Sequence, residues 1–440
     1  MTYDIIIGRD PSEKKKFGEN ALTYIGKHYV RVGNITSLSN RVLLDIAKTH
    51  VILVTGKRGT GKSTTLGVLA EEMSCLPQEV SNNLSILIFD TMGIFWTSKF
   101  ENQRDEELLR QWSIRPKKLD VDIYTPHGYF QKYKERGIPT DYSFVIKPNE
   151  LNSQDWCSIF DVHITSSIGI LIEKTIEQLE EKDYSIDDII TVISRDNTST
   201  RETKEATKNR FYSAKSWGLF SQKGLQVMDL VKRGRVSIID VSCYNDVAGA
   251  WSIKSLVIGI VARKLLAQRI NSRKYEELES IKEGGFGYLN KESKQDLPLV
   301  WIMIDEAHEF LPKDRVTPAT DALVQLLREG RQPGISLVLA TQQPGEIHND
   351  VITQSDIVIS HRITARRDIE ALNNMMQSYL FSDIEKYLNE LPTLKGSAIV
   401  LDDNSERIYP IRIRPRFSWH GGEAPTVIKT KSKELLDLGF

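Results

Sequence analysis

Cysteine and net charge are both scarce in this 440-residue sequence. The three cysteines, Cys75, Cys157 and Cys243, are far apart and form no CxxC pair, which excludes a zinc ribbon and a disulfide framework and favours reduced thiols. Lysine and arginine together number 58, against 59 aspartates and glutamates, which leaves a net charge of −1. This balance argues against a wholly basic nucleic-acid coat, but it allows a locally basic lining.

Long apolar runs are also missing. The longest one near the middle of the chain, residues 255–267, is interrupted by Arg263 and Lys264, so it is too short and too charged to cross a bilayer. Residues 1–18 hold no apolar core of the kind found in secretory signals. We therefore expect a cytoplasmic protein with no membrane segment.

Short, continuous apolar runs are present instead, and they alternate with helical patterns from residue 51 onward. They lie at 51–56, 86–90, 236–241, 299–305, 335–341 and 356–360. Because strands that are buried on both faces of a parallel sheet are apolar throughout, these runs predict an α/β fold with a doubly wound, mainly parallel sheet.

Changes in composition along the chain predict its organisation. The predicted parts are a small N-terminal β-barrel-like module (1–50), a core (51–91 and 236–415), a mainly helical insertion (92–235) and a C-terminal tail (416–440) that packs on the core or on a neighbouring subunit. Within the core, the polar residues 276–297 include three glycines and predict a surface loop.

The strongest motif is GKRGTGKS at 56–63, which matches GxxxxGK[ST] between a predicted strand and a predicted helix. Its glycines let backbone N–H groups surround phosphate oxygens at the positive end of the helix dipole. Lys62 should reach the β- and γ-phosphates, and Ser63 should ligate Mg²⁺. The predicted nucleotide-binding residues are Gly56, Lys57, Arg58, Gly59, Thr60, Gly61, Lys62, Ser63 and Thr64, with ATP and Mg²⁺ as cofactors. The alternative is a purely structural glycine turn.

Two adjacent carboxylates, Asp305 and Glu306, end the apolar run in LVWIMIDEAHEFLP. Beside a P-loop, Asp305 would hold Mg²⁺ and Glu306 would activate the attacking water, unless Glu306 is only a solvated acid. The letters DEAH also name a helicase class, but that class carries two successive ATPase-type cores. This chain has one P-loop and one such acidic pair, so we interpret the spelling as a coincidence.

A single core lacks the second cation that phosphoryl transfer normally requires, and such an arginine is worth about 10³–10⁵ in rate. Arg331, at the end of a predicted surface helix, is the candidate for a finger that acts on a neighbouring subunit in a head-to-tail ring. Arg328 and Arg362 are reserve candidates, and a solvated helix-end cation is the alternative. Gln342 would orient the water or sense the γ-phosphate, although Gln343 could take this role instead.

Basic residues are concentrated in residues 201–217, where they alternate with aromatic ones. Lys204, Lys208, Arg210 and Lys215 are candidates for DNA contact through phosphates. An amphipathic helix with a solvated basic face and a packed aromatic face explains the same pattern.

In this order and spacing, GKRGTGKST, IMIDEAHEFLP, LLREGRQPGISLVLATQQP and SDIVISHRI resemble the HerA branch of the HerA–FtsK superfamily. The resemblance implies a RecA-like P-loop ATPase core and a homohexameric ring that translocates or unwinds double-stranded DNA. It also implies a nuclease partner, and it carries over Lys62, Ser63, Asp305, Glu306, Arg331 and Gln342 in the roles given above.

Two departures from that family lie outside the core motifs. The N-terminal module is short, and FDTMGIF at 89–95 replaces an acidic-aromatic ending after the glycine. They suggest a specialised sub-branch, including rings that act with antiviral effectors. The alternative function is a nucleotide-gated ring scaffold that assembles and regulates a partner enzyme without processive translocation.

Overall fold

The computed structural model describes residues 3–32, 35–179, 183–222, 227–247, 249–282, 297–375 and 384–422. Within these residues, one 13-stranded sheet is flanked by helices. The strands are β1 (Ile5–Ile7), β2 (Leu22–Val32), β3 (Ile35–Asp45), β4 (Val51–Thr55), β5 (Leu84–Asp90), β6 (Val121–Pro126), β7 (Tyr142–Phe144), β8 (Val236–Asp240), β9 (Leu299–Ile304), β10 (Ile335–Thr341), β11 (Ile357–His361), β12 (Ser397–Asp402) and β13 (Arg407–Ile413).

The helices are α1 (Pro11–Phe17), α2 (Lys62–Ser74), α3 (Gln78–Ser81), α4 (Glu106–Gln111), α5 (His127–Glu135), α6 (Ser153–Ile159), α7 (Ser167–Glu177), α8 (Ile186–Arg195), α9 (Arg201–Ser216), α10 (Ala250–Lys282), α11 (Thr320–Glu329), α12 (Asn349–Gln354), α13 (Arg366–Met375) and α14 (Ile384–Glu390). None of these helices is long and apolar enough to span a membrane.

The strand order is β1-β3-β2-β13-β12-β11-β4-β10-β9-β5-β8-β6-β7. From β11 to β7 every neighbouring pair is parallel, whereas β12, β13 and β2 pair antiparallel to their neighbours. The six strands predicted from the apolar runs are β4, β5, β8, β9, β10 and β11. The predicted α/β class is therefore confirmed.

Successive side chains of a strand point to opposite faces of the sheet, and here both faces are buried. In β4, Ile52 and Val54 join a cluster that includes Leu66 and Leu69 of α2. Leu53, between them, belongs to the opposite cluster, which includes the apolar residues of α10 and α11. This two-sided packing explains why the core strands carry apolar residues on both faces rather than only at alternate positions.

Strands β1, β2 and β3, within the predicted N-terminal module, extend this same sheet. Strand β2 pairs with β13 at Gly26, where a Cβ would lie only 2.2 Å from the carbonyl oxygen of Arg412. A register shift in the β2–β3 pair falls between Tyr24 and Gly26. The hairpin covers the backbone groups that β13 would otherwise expose at a sheet edge.

The segment predicted as a helical insertion contains α4 to α9, and it also adds β6 and β7 to the far edge of the sheet. The prediction of a loop at 276–297 is wrong for residues 276–282. These residues are good helix formers, and α10 continues through them to Lys282. Residues 283–296 of that loop lie outside the described residues, as do residues 423–440 of the predicted tail.

The described start of the tail packs on α2. The side chain of Glu71, on α2, is fully buried and forms ion pairs with Arg414 (2.9 Å) and Arg416 (3.2 Å). Arg416 also fills the notch at Gly67, where a Cβ would lie 2.6 Å from its guanidinium. This charge-paired contact holds α2, the helix that follows the P-loop, against residues 414–418.

Candidate ATPase site

The loop between β4 and α2 turns sharply through its glycines. Gly56, Gly59 and Gly61 have φ angles of 152°, 80° and 126°, which side-chain-bearing residues rarely adopt. The amide of Lys57 donates to Arg362 O (3.2 Å), and Thr60 O accepts from the amide of Gly396 (3.1 Å). The loop is thus held open at the carboxyl end of β4, directly before the first turn of α2, as phosphate binding requires.

His361, the last residue of β11, supports this loop, and the sequence analysis overlooked it. A Cβ at Gly56 would lie 2.6 Å from His361 Cβ, and a Cβ at Gly61 would lie 3.1 Å from its Cε1. Its Nδ1 donates to Ser397 O (3.0 Å), so Nε2 is free to accept from Thr65 Oγ1 (2.9 Å). Burial lowers the pKa of His361 to about 4, so a neutral ring lies under the glycines.

Lys62 is buried, and its Nζ donates to Lys57 O (3.2 Å) within the loop. Burial lowers the pKa of Lys62, and this effect is partly opposed by Glu306 and Asp305. Lys57 and Arg58 are exposed at the rim of the loop. Thr64 Oγ1 is buried and has no hydrogen-bond partner among the described residues. An acceptor in the loop, such as a phosphate oxygen, would therefore suit both Lys62 and Thr64.

Ser63 and Asp305, which were predicted separately as metal ligands, are in contact. Ser63 Oγ donates to Asp305 Oδ2 at 2.6 Å, and the other carboxylate oxygen of Asp305 accepts from the amide of Glu306 (3.0 Å). A hydroxyl and a carboxylate, side by side at the phosphate loop, are the hard oxygen donors that Mg²⁺ prefers. The donor set therefore fits the predicted ion.

Glu306 follows β9 in a left-handed conformation, with φ 53° and ψ 44°. Such a backbone is uncommon for a residue with a side chain and is often found at functional sites. Gln342 Nε2 donates to Glu306 Oε1, whereas Oε2 is buried and has no hydrogen-bond partner among the described residues. Gln343, the alternative to Gln342, is exposed. The structure therefore places Gln342 rather than Gln343 against the predicted base.

The two acidic residues share one buried environment. Burial raises the pKa of Asp305. Burial and then the neighbouring Asp305 carboxylate raise the pKa of Glu306, a direction that suits a general base. His308 Nδ1 lies 3.6 Å from Glu306 Oε2 and 3.2 Å from Thr341 Oγ1. Burial lowers the pKa of His308, which favours a neutral ring beside the carboxylate.

A second buried carboxylate pair ends the two strands beyond β9. Asp90 and Asp240 are opposite each other in the β5–β8 pair. Asp90 accepts from the amides of Gly93, Ile94 and Phe95, which folds FDTMGIF into a turn. Burial and then Asp240 raise the pKa of Asp90 to about 7. The sequence analysis missed this pair because nothing local shows that β5 and β8 are neighbours.

The structure does not bring Arg331 to this site. It is exposed in the turn before β10, and its carbonyl oxygen accepts from Thr49 Oγ1 (3.2 Å). Gln342 follows the other end of β10, so the strand of seven residues separates the two by about 20 Å. Arg328 forms an ion pair with Asp350 (2.7 Å). Arg362 is exposed beside the P-loop of its own chain.

The four basic residues of α9 that were predicted to contact DNA have partners in their own chain. Lys204 donates to Asp196 O (2.9 Å) and Arg210 to Ala206 O (3.1 Å). Lys208 pairs with Glu205 and Lys215 with Asp187, each at 2.6 Å. Phe211 and Trp217 are buried in the core of the helical region. This is the arrangement expected for an amphipathic helix, and DNA contact by these residues stays a prediction.

Comparisons with known proteins bear on the family and the fold of the chain. A family model described as the central domain of the helicase HerA matches residues 30–258, just over half of the chain. The probable DNA double-strand break repair helicase HerA of Methanocaldococcus jannaschii is 25% identical over 185 residues, which cover 40% of this chain and 35% of that protein. The DNA double-strand break repair helicase HerA of Sulfurisphaera tokodaii is 21% identical over 448 residues, which cover 95% of this chain and 76% of that protein.

Among solved structures, VirB4 of Thermoanaerobacter pseudethanolicus superposes with a TM-score of 0.54 at 13% sequence identity, over 90% of this chain and 96% of that one. At that level of identity the superposition supports the fold alone.

Proposed function

Because this chain belongs to the family of the HerA helicase central domain and is an ATP-hydrolysing enzyme, we propose that it works as a homohexameric ring that translocates or unwinds double-stranded DNA. Relatives that are named DNA double-strand break repair helicases support the choice of DNA as substrate. A nuclease or antiviral effector that acts with the ring is part of this proposal.

One observation carries the proposal. The predicted site residues other than Arg331 lie together at the carboxyl ends of the strands, whereas Arg331 lies at their amino ends. Lys62, Ser63, Asp305, Glu306 and Gln342 converge at the carboxyl ends of β4, β9 and β10. Among the described residues the Arg331 side chain has no ion pair, whereas Arg328 is paired. A free cation that cannot reach its own P-loop is suited to the P-loop of the next copy in a head-to-tail ring.

Each residue then has a defined task in hydrolysis. Lys62 and the loop amides bind the phosphates, and Mg²⁺ held by Ser63 and Asp305 would neutralise charge on the phosphate oxygens. Glu306 accepts a proton from the attacking water, and its orphan Oε2 is the oxygen that is free to do so. Gln342 holds the other oxygen and so orients the carboxylate. Arg331 of the neighbouring copy stabilises the charge that develops on the γ-phosphate.

Mixed rings test this arrangement. Rings of Lys62→Ala subunits alone, and rings of Arg331→Ala subunits alone, should be nearly inactive. In a random one-to-one mixture, about one junction in four pairs an intact Lys62 site with an intact Arg331, so about a quarter of the wild-type ATPase rate should return. If mixed rings are verified by native mass spectrometry and show no recovery, the trans role of Arg331 is wrong.

DNA dependence tests the substrate. Duplex DNA should stimulate ATP hydrolysis, and the stimulation should weaken as salt rises because phosphate contacts release counterions. Stimulation by unfolded protein but not by duplex DNA would contradict the proposal. Reversing charge with Lys208→Glu and Lys215→Glu checks the α9 hypothesis. If α9 contacts DNA, these variants lose the stimulation and retain the basal rate.

A further inference from the structure

The turn that carries Arg331 rests on a buried arginine of α10. The side chain of Arg269 is 1% exposed, and its Nε donates to Pro333 O at 2.6 Å. Its Nη1 donates to Leu297 O (2.5 Å) and pairs with Glu276 Oε1 (3.0 Å). The turn packs closely on the guanidinium, since a Cβ added at Gly334 would lie only 3.2 Å from Nη2.

A buried guanidinium is costly unless its donors and its charge are matched. Two of the partners of Arg269 are backbone carbonyls, one in the turn and one before β9. Because the guanidinium is planar, these bonds fix direction as well as distance. Two further hydrogen bonds hold the turn. Thr49 Oγ1 donates to Arg331 O, and the amide of Ile335 donates to Gly330 O (2.8 Å). Its backbone therefore has one defined position, from which the exposed Arg331 side chain projects.

The same helix reaches the catalytic segment at its other end. Trp251 Nε1 donates to Glu309 O (2.6 Å), three residues after Glu306. Ser255 Oγ donates to Thr317 Oγ1 (2.9 Å), and a Cβ at Gly259 would lie 2.5 Å from Pro318 O. From Trp251 to Arg269 the helix rises about 27 Å. One rigid element thus contacts both the segment after the catalytic base and the turn that carries Arg331.

We propose that Arg269 is a positioning residue for Arg331: it holds the turn at 330–334 in the orientation that the neighbouring ATP site requires. This inference rests on the proposed function, because it assigns Arg269 no role apart from Arg331. It goes beyond that function in naming the residue that presents the finger and the helix from which the finger is held.

Arg269→Lys is the main test, since lysine keeps the charge beside Glu276 but cannot bond two carbonyls with a planar fork. We expect kcat for ATP to fall about ten- to a hundredfold, as is typical when a catalytic group shifts by about an ångström. KM for ATP should change less than twofold, because the P-loop is not involved. Arg263→Lys is the matched control: Arg263 lies on the same helix and binds Asp155 through two bonds of 2.8 Å, away from the turn.

The double variant Arg269→Lys/Arg331→Ala separates positioning from general stability. If Arg269 acts through Arg331, the double variant has the same kcat as Arg331→Ala alone. If Arg269 is only structural, the two losses multiply, and the inference is overturned. Should Arg269→Lys fail to fold, Gly334→Ala displaces the same turn from its backbone, since its Cβ would lie 2.4 Å from Leu299 and φ there is 88°. The kcat of Gly334→Ala/Arg331→Ala is then compared with that of Arg331→Ala alone. Equal values support positioning, and multiplied losses overturn the inference. A wild-type kcat in Arg331→Ala itself would instead contradict the proposed function.

Discussion

Strands β4 and β11 lie side by side, and each end of this pair carries a buried histidine. His50 precedes β4 at the amino edge of the sheet, and His361 ends β11 at the carboxyl edge, under the P-loop. His50 Nδ1 donates to Asp356 (2.6 Å), and its Nε2 lies 3.7 Å from Asp45, which is also paired with Arg9. The neighbours of His361 are a hydroxyl and a carbonyl oxygen.

The two environments therefore shift the pKa of the same side chain in opposite directions. Burial alone would lower the pKa of His50, but the carboxylates of Asp356 and Asp45 outweigh it, so the pKa of His50 is raised. At His361 burial prevails, and the pKa falls to about 4. The amino edge is charge-compensated within the chain. The carboxyl edge holds Lys62, Asp305 and Glu306 with pKa values shifted toward their neutral forms. The comparison suggests that stability is concentrated at the first edge and chemistry at the second.

Glu306→Gln tests the carboxyl edge and has the largest expected effect. ATP turnover should fall about 10²–10⁴-fold, because the general base is lost. The free energy of unfolding should stay equal or rise, since a neutral amide removes the cost of burying a carboxylate. Steady-state ATPase assays and denaturant titration measure both. Glu107→Gln, an exposed carboxylate paired with Arg110, is the control that should change neither. A marked loss of stability in Glu306→Gln would contradict the comparison.

Asp45→Asn tests the amino edge. It removes the carboxylate that pairs with the buried guanidinium of Arg9, and it leaves His50 with Asp356 as its remaining carboxylate, so the free energy of unfolding should fall by about 3 kcal/mol. Nucleotide affinity of the folded protein, measured by calorimetry, should not change, because the P-loop lies at the other end of β4. Asp4→Asn removes an exposed pair with Arg41, and its effect should stay below about 1 kcal/mol. Equal losses of stability in the two variants would show that the buried ion pairs at the amino edge stabilise the fold no more than an exposed pair does.

Unfolding as a function of pH compares the two histidines directly. The pKa of His50 is raised in the folded protein. Its contribution to the free energy of unfolding is therefore fully present below pH 6.5 and is lost as the pH rises through the folded pKa. The stability advantage of wild type over His50→Gln should therefore shrink as pH increases. His361 has a folded pKa of about 4, so wild type loses stability relative to His361→Gln as pH falls from 6.5 toward 4. Denaturant titration at pH 5 to 8 should give slopes of opposite sign, and slopes of the same sign would refute the assignment.

Arg328→Ala sharpens the contrast at the turn and has the smallest expected effect. Arg328 is exposed and paired with Asp350 of its own chain. Its loss should change ATP turnover less than twofold and stability by about 0.5 kcal/mol or less. Arg331→Ala, measured in parallel, should abolish most turnover. If Arg328→Ala proves as damaging as Arg331→Ala, the choice between the two arginines is reversed.

Local patterns predicted much of this molecule. The six core strands and the α/β class followed from apolar runs, since burial on both faces leaves a mark at every residue of a strand. The phosphate loop and the acidic pair were found because their residues are contiguous. The end of α10 was missed because glycine-rich neighbours suggested a loop, although the helix formers of residues 276–282 favour a helix.

By itself, the sequence determined which chemical groups the protein has: a phosphate loop, two carboxylates, a glutamine and several arginines. Only the tertiary structure decided which of them meet. Gln342 meets Glu306, His361 lies under the glycines, and Arg331 lies at the amino ends of the strands, in the turn whose Pro333 carbonyl binds Arg269. These distances depend on the order of strands in the sheet, and strand order is set by long-range packing that leaves no trace in neighbouring residues.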